Sequence, residues 1–308
     1  MAGSGGNRRH ELEDGGDGVS DSEASVGRGD NPEGTPKPPL PTDPPTDPLA
    51  GLIDGVPPTP DAAATVFGEH LPRAEEFVRV LADTGISHGL IGPREAPRLW
   101  DRHVLNCALV HFLIPSAARG QRVIDIGSGA GLPGVALAIA RPDLELHLVE
   151  PLTRRTGWLS GVAAQLELDN VVIHTARAEA MWDRLTAPWV TARAVSGIVQ
   201  LAHWTLPLLT PRGSLLALKG SRAAGELAEH RAALQRLGVV QAGIESIGEG
   251  MVTDPTIVLR ATIGDAVDRR LFRNVASSSA GSARRRTDRP RGGRSSGSSP
   301  RDQRRRTR

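Results

Sequence analysis

The sequence predicts an α/β protein: a seven-stranded, mostly parallel sheet with an antiparallel C-terminal hairpin and an N-terminal helical extension. Three observations carry this. Between residues 119 and 237, short apolar runs alternate with stretches of helical periodicity, and such alternation implies a mostly parallel sheet covered on both faces. The last two runs, VVQAGIESI and TIVLRATI, have no helix between them, so they pair as an antiparallel hairpin at one edge. The first run opens directly into a glycine turn, VIDIGSGAGLPG at 123–134, and glycine is favoured where backbone bends sharply or approaches a ligand closely.

Each element follows from its pattern. Val66, Phe67, Leu71, Phe77, Val80 and Leu81 recur at helical spacing over 61–84, and Asp83, Thr84 and Gly85 end that helix. A second helical stretch runs over 97–114. Val123, Ile124 and Ile126 form a buried strand, and Leu132, Val135, Leu137 and Ile139 begin the helix behind the glycines. The pattern then repeats: strand 144–150 with helix 152–166, strand 171–176 with a short helix 179–185, strand 189–194 with helix 198–209, and strand 213–220 with helix 222–237. The two hairpin strands complete seven.

Composition divides the 308 residues unevenly. Met1 to Pro48 carries ten acidic and four basic residues, and Ser282 to Arg308 carries eleven arginines and two aspartates. The tails therefore hold charges of −6 and +9, and the net charge of +2 leaves −1 for the middle. The basic character belongs to the C-terminal tail. Segments 1–58 and 265–308 are too poor in apolar residues to offset the entropy of ordering them and are expected to be disordered. A single domain over 59–264 is expected, with helices over 59–118 and the sheet over 119–264. Cys107 is the only cysteine, which excludes an intrachain disulfide and, with so few thiols, argues against zinc. It sits in the apolar run VLNCALVHFLI and reads as a small buried residue. The N-terminus has no apolar segment and no run is long enough to span a bilayer, so a soluble, cytoplasmic protein is expected.

The glycine loop fits two templates. Gly129, Gly131 and Gly134 spell the dinucleotide fingerprint G-x-G-x-x-G, whereas Gly127, Gly129 and Gly131 spell G-x-G-x-G. Asp125, inside the strand, suits the cationic methionine end of S-adenosylmethionine and would repel a pyrophosphate. Pro133 removes a backbone N–H that a pyrophosphate needs. Glu150, at the end of the next strand, accepts hydrogen bonds from ribose hydroxyls in either cofactor. With the terminal hairpin, these residues favour S-adenosylmethionine over a nicotinamide cofactor.

At this point the strings WDRHVLN (100–106), VIDIGSGAGLPG, LVEPLTRR (148–155), ARAV (192–195) and LALKG (216–220) resemble the bacterial 16S ribosomal RNA guanine-N7 methyltransferases of the RsmG type, also called glucose-inhibited division protein B. The resemblance covers about 62–263 and is nearest to actinobacterial members in IGPREAPRLWDRHVLNCA. It implies a Rossmann-like class I methyltransferase fold and methyl transfer from S-adenosylmethionine to N7 of a guanine in the 530 loop, conventionally position 527. It implies cofactor contacts at Gly127, Leu132, Ala178, Glu179 and Arg193, beside Asp125, Gly129 and Glu150, where many members have Asp in place of Glu150. Its implied partner is 16S rRNA or a precursor of the small ribosomal subunit. The stretch SHGLIGPRE (87–95) stands where some members carry the wording W-N-L-T and leaves the substrate side there unassigned.

N7 of guanine carries an in-plane lone pair and no proton, so the reaction needs positioning rather than a general base. No residue is assigned as catalytic with certainty; Arg193 and Lys219 are the candidates. Arg193 is read as holding a cofactor carboxylate, a phosphate or guanine O6, against a surface ion pair. Lys219 is read as a phosphate contact, against a solvated strand-end lysine. Arg102, His103, Arg154 and Arg155 are further RNA-contact candidates, with capping, core or solvated roles as the alternatives. Trp158, Trp182 and Trp204 read as packing. A monomer without metal is expected. The alternatives kept open are a methyltransferase of another RNA or a small molecule, and an NAD-dependent oxidoreductase.

Overall fold

The computed structural model describes residues 55–193 and 196–272. Most of both tails, and Ala194 and Val195 of the ARAV string, lie outside the described residues. The sheet has seven strands: β1 (Arg122–Ile126), β2 (Glu145–Glu150), β3 (Val171–Thr175), β4 (Ala187–Arg193), β5 (Leu209–Lys219), β6 (Val239–Ile247) and β7 (Thr256–Ile263). Their order is β3-β2-β1-β4-β5-β7-β6. Strands β1 to β5 run parallel, and β7 lies antiparallel between β5 and β6. The hairpin is at one edge, as the sequence predicts, with the last strand on its inner side.

Alternating side chains send each strand's apolar residues to two separate cores. Val123, Leu146 and Leu148 face the helices α1 (Asp61–Phe67), α2 (Leu71–Val80), α3 (Leu105–Ala108), α4 (Gly134–Ala140) and α5 (Thr153–Gln165). Ile124, Val149 and Val190 face α6 (Ile198–Thr205) and α7 (Ala223–Arg236). The helical extension is therefore half of the first core: Phe77, Leu81, Leu99 and Leu105 are fully buried in it.

The predicted helices of this extension are less regular than their apolar spacing. The helix over 61–84 is interrupted by a 3₁₀ turn at Gly68–His70 and restarts at Leu71. Pro72 has no N–H to give to the carbonyl four residues back, so the helix begins anew there. The 97–114 stretch runs as a 3₁₀ turn (Pro93–Arg98), a π turn (Leu99–Val104), α3 and a further 3₁₀ turn (Leu109–Leu113). Pro207 likewise ends α6 early, and β5 starts at Leu209 rather than 213.

Packing also continues past residue 264, where composition puts the tail. Phe272 is buried against Trp182 and His203, with ring centroids 6.4 and 5.5 Å away. One aromatic among charged residues carries no periodicity, so pattern reading passes over it.

The topology places the site. The sheet order reverses between β1 and β4, and open α/β sheets hold ligands at the carboxyl ends of strands beside such a reversal. Ile126 pairs with Val149 on one side and Ala192 on the other. Gly127, Glu150 and Arg193 therefore leave the sheet side by side.

Candidate functional site

The loop after β1 is built from backbone that only glycine adopts easily. Gly127, Gly129 and Gly131 have φ of 74°, 54° and 77°, the left-handed region where other side chains are strained. These are the three glycines of the G-x-G-x-G template. Gly134 is required for another reason: a Cβ there would lie 2.2 Å from Leu148 Cδ2 and 2.7 Å from Asp125 Oδ2. That closeness seats α4 on β1 and β2. Leu132 is buried beside the loop, and Ser128 O accepts the Gly131 N–H at 2.7 Å, which tightens the turn.

Asp125 corrects its sequence reading. Its side chain is fully buried rather than turned to a ligand. Oδ2 accepts the Gly134 N–H at 3.1 Å, and Oδ1 accepts the Thr191 hydroxyl at 3.3 Å. Burial pushes its pKa up to about 6, against the pull of these hydrogen bonds. The carboxylate thus ties the start of α4 and strand β4 to β1, directly beneath the loop.

Glu150 ends β2 with its side chain folded toward the same loop. Oε2 accepts the Gly129 N–H at 3.1 Å, Oε1 accepts the Leu152 N–H at 3.1 Å, and Arg155 Nη1 stands 3.5 Å from Oε2. Arg155, read as an RNA contact, is instead the ion-pair partner of Glu150. After β3, Ala178 and Glu179 open a 3₁₀ turn (Ala178–Met181). The N–H of a first residue has no acceptor within its own turn, and Glu179 is half-buried beside Ala178.

Arg193, at the end of β4, is held by three neutral acceptors. Nη1 donates to Cys107 Sγ at 3.2 Å, and Nη2 to His103 Nδ1 at 2.8 Å and to the Arg102 carbonyl at 3.4 Å. His103 Nε2 lies 2.8 Å from Glu95 Oε2, and Arg102 Nη1 lies 3.7 Å from Glu95 Oε1. His103 is therefore buried and partnered, not a free RNA contact. Cys107 is fully buried, and burial raises its thiol pKa. Beyond Arg193 opens a cleft of about 1130 Å³, lined among others by Arg98, Arg102, Asn106, Arg193, Lys219 and Ser221.

Lys219 lines that cleft but is engaged. Its Nζ lies 2.9 Å from Glu226 Oε2 and donates to the Ser196 carbonyl at 3.0 Å, while Glu226 Oε1 accepts the Ile198 N–H at 2.6 Å. It clamps the segment after β4 rather than presenting a bare cation. Arg154 is exposed and donates to the His88 carbonyl at 2.6 Å, apart from the cleft lining. Trp158 donates to Thr84 Oγ1 at 3.0 Å and Trp182 to the Trp204 carbonyl at 3.2 Å, so these tryptophans pack elements together.

The structure thus brings together Gly127, Gly129, Leu132, Asp125, Glu150 and Arg193 around one sheet edge, with Arg102 and Lys219 on the adjoining cleft. Sequence reading missed Glu95, Thr191 and Glu226. Glu95 lies in the unassigned 87–95 stretch, Thr191 is one polar residue inside an apolar strand, and Glu226 resembles any exposed helical acid. Among the described residues no cluster of three or more His, Cys, Asp or Glu is arranged to hold a metal ion, and no helix is long and apolar enough to cross a membrane.

Comparison with known proteins shows the family. A family model described as GidB, rRNA small subunit methyltransferase G, matches residues 70–255. The chain is 52% identical over 208 residues to the ribosomal RNA small subunit methyltransferase G of Thermobifida fusca, covering 68% of this chain and 86% of that protein. It is 46% identical over 212 residues to the protein of the same name from Streptomyces coelicolor, covering 68% and 87%. Against the one from Renibacterium salmoninarum, identity is 50% over 206 residues, covering 67% and 94%. The chain therefore belongs to the GidB family of small-subunit ribosomal RNA methyltransferases.

Proposed function

We propose that this chain transfers a methyl group from S-adenosylmethionine to N7 of the guanine at position 527, in the 530 loop of 16S rRNA. The observation that carries the reading is the adjacency of Gly127, Glu150 and Arg193 at the sheet edge where the strand order reverses. The donor set suits the cofactor. A Cβ at Gly129 would meet only the Gly127 carbonyl, at 3.7 Å, so the loop has an open side. Glu150 accepts from the ribose diol. The Ala178 N–H and the Glu179 carboxylate would read the adenine edge. Asp125 would supply negative charge toward the methionine end, and Gly127 and Leu132 would line the wall. Arg193 holds an anionic group where the cradle meets the cleft.

When bound, the cofactor supplies an electrophilic methyl group. The protein orients the guanine so that its N7 lone pair lies in line with the bond that breaks, and this alignment supplies most of the acceleration. Positive charge moves onto the guanine ring as the methyl group transfers. A cation pressed on N7 would oppose that, so Arg193 serves an anion away from the reacting atom. In-line attack on a lone pair requires neither a metal nor a second copy, and a ribosomal substrate puts the enzyme in the cytoplasm.

The test is incubation of the protein with labelled S-adenosylmethionine and small-subunit particles, with N7-methylguanine mapped at nucleotide resolution. Label at position 527 that disappears when this guanine is substituted is the expected result. Label at another base, or none in RNA, overturns the proposal.

A further inference from the structure

The cations around the site differ in how their charge is met. Arg155 faces Glu150, Lys219 faces Glu226 and Arg102 faces Glu95. Among the described residues, Arg193 has no carboxylate within ion-pair distance. It nonetheless makes three hydrogen bonds, to a thiol, an imidazole nitrogen and a carbonyl. All three are neutral acceptors. They direct the guanidinium without discharging it.

We propose that His103 is a positioning residue for Arg193, and that the Glu95–His103 pair exists to aim a cation while leaving its charge for the anionic group of a ligand. The proposal deepens the methyl-transfer reading and rests on it. The hydrogen-bond directions follow from chemistry. A guanidinium only donates, so His103 Nδ1 must accept. Nε2 then carries the proton and donates to the Glu95 carboxylate. Glu95 thus fixes the tautomer, as carboxylates behind a working imidazole do elsewhere. Burial, and next the charge of Arg193, hold the imidazole pKa below its usual range, against the pull of Glu95.

Of the five guanidinium N–H groups, the three bonds use one on Nη1 and both on Nη2. The Nε–H and one Nη1–H remain, on a side chain that lines the cleft. They point to different edges of the guanidinium, so an anion in the cleft meets one of them as a single charge-assisted donor. The anion is therefore either the cofactor's amino-acid carboxylate or a phosphate of the RNA. A carboxylate in place of His103 would hold Arg193 equally well and neutralise it, which explains why an imidazole stands there.

Three variants test this. His103→Leu removes the acceptor. His103→Asn keeps an acceptor near the Nδ1 position but loses the bond to Glu95. His103→Asp keeps an acceptor and adds the neutralising charge. For each, the affinity for S-adenosylmethionine is measured by calorimetry, KM and kcat for small-subunit RNA by methyl incorporation, and stability by thermal unfolding. The Leu variant is expected to lose about tenfold or more in kcat/KM, the scale of one charge-assisted hydrogen bond. The Asn variant should recover to within about threefold of wild type on the same scale. The Asp variant should unfold at the same temperature as wild type or higher, yet bind as poorly as Leu. Weakened cofactor binding identifies the carboxylate as the anion, and a raised KM for RNA with unchanged cofactor binding identifies the phosphate. Equal impairment in Leu and Asn, or wild-type binding in Asp, overturns the proposal. Should wild-type protein itself bind no S-adenosylmethionine, the methyl-transfer reading fails instead. If Leu does not fold, the Asn and Asp comparison decides alone.

Discussion

The Gly129 N–H points at Glu150 Oε2 across 3.1 Å, so the glycine loop and the end of β2 close on each other through one hydrogen bond. The same carboxylate accepts the Leu152 N–H and faces Arg155. An already oriented acceptor therefore stands at the end of β2.

Glu150→Gln should therefore weaken S-adenosylmethionine binding by about tenfold to a hundredfold, the loss of a charged acceptor. Calorimetric titration checks it. Unfolding temperature should drop only slightly, because the amide still serves one of the two backbone donors and Arg155 is partly exposed.

Asp125→Asn separates stability from binding. Asn keeps an acceptor for the Gly134 N–H and turns a donor toward the Thr191 hydroxyl. Asp125 has a folded pKa raised to about 6 from 3.8. Its contribution to stability is thus fully present below about 4 and lost as pH rises through about 6. At pH 7 the variant should be as stable as wild type or more so, by up to about 3 kcal/mol. Its cofactor affinity should fall by about tenfold with the lost attraction for a cationic group. Wild-type affinity should rise from pH 5 to 7, and the variant should lack that rise.

His111 has the opposite sign. Burial, then the charge of Arg141, pushes its pKa down to about 4, and its Nε2 is buried with no hydrogen-bond partner among the described residues. The stability it contributes is present above pH 6.5 and lost as pH falls toward 4. His111→Leu should flatten the acid side of a stability profile measured by urea unfolding. Asp125→Asn should steepen it, because the two groups offset one another over the same range.

Two glycines give a paired comparison. Gly134→Ala forces a methyl group into Leu148 and Asp125 and should destabilise by about 2–3 kcal/mol. Gly157→Ala, in the middle of α5 with nothing within 4 Å of the added carbon, should stabilise by about 0.5–1 kcal/mol. Thermal unfolding of both variants checks the contrast.

Deleting residues 282–308 removes eleven arginines and two aspartates. If these arginines meet RNA phosphates, the salt dependence of RNA binding should become shallower while position 527 stays the methylated base. A filter-binding series against salt concentration measures it. An unchanged slope means that the folded domain alone carries the phosphate attraction.

Much of this was legible in the residues. The seven strands, the hairpin and the glycine loop follow from periodicity and turn chemistry, because each is a local pattern of the kind that burial on a sheet demands. Glu150 was legible for the same reason: a charge at the end of an apolar run marks a strand's exit. The direction of Asp125 was not, since a carboxylate inside a strand reads alike whether it meets a ligand or a helix N–H. Arg155 and Lys219 read as bare cations because their partners, Glu150 and Glu226, are assigned to them only by the folded backbone. The His103–Arg193 contact joins residues ninety positions apart, and no spacing rule links them.

The inner place of β7 has a consequence for how the chain is made and cut. Residues 256–263 are the final strand to leave the ribosome, yet they supply neighbours to both β5 and β6. Until they emerge, the row of Leu215, Leu216 and Leu218 lies along an open ladder, a template for pairing with any other chain. A stop codon, a protease cut or a badly placed tag shortly before residue 256 therefore invites aggregation of the whole molecule.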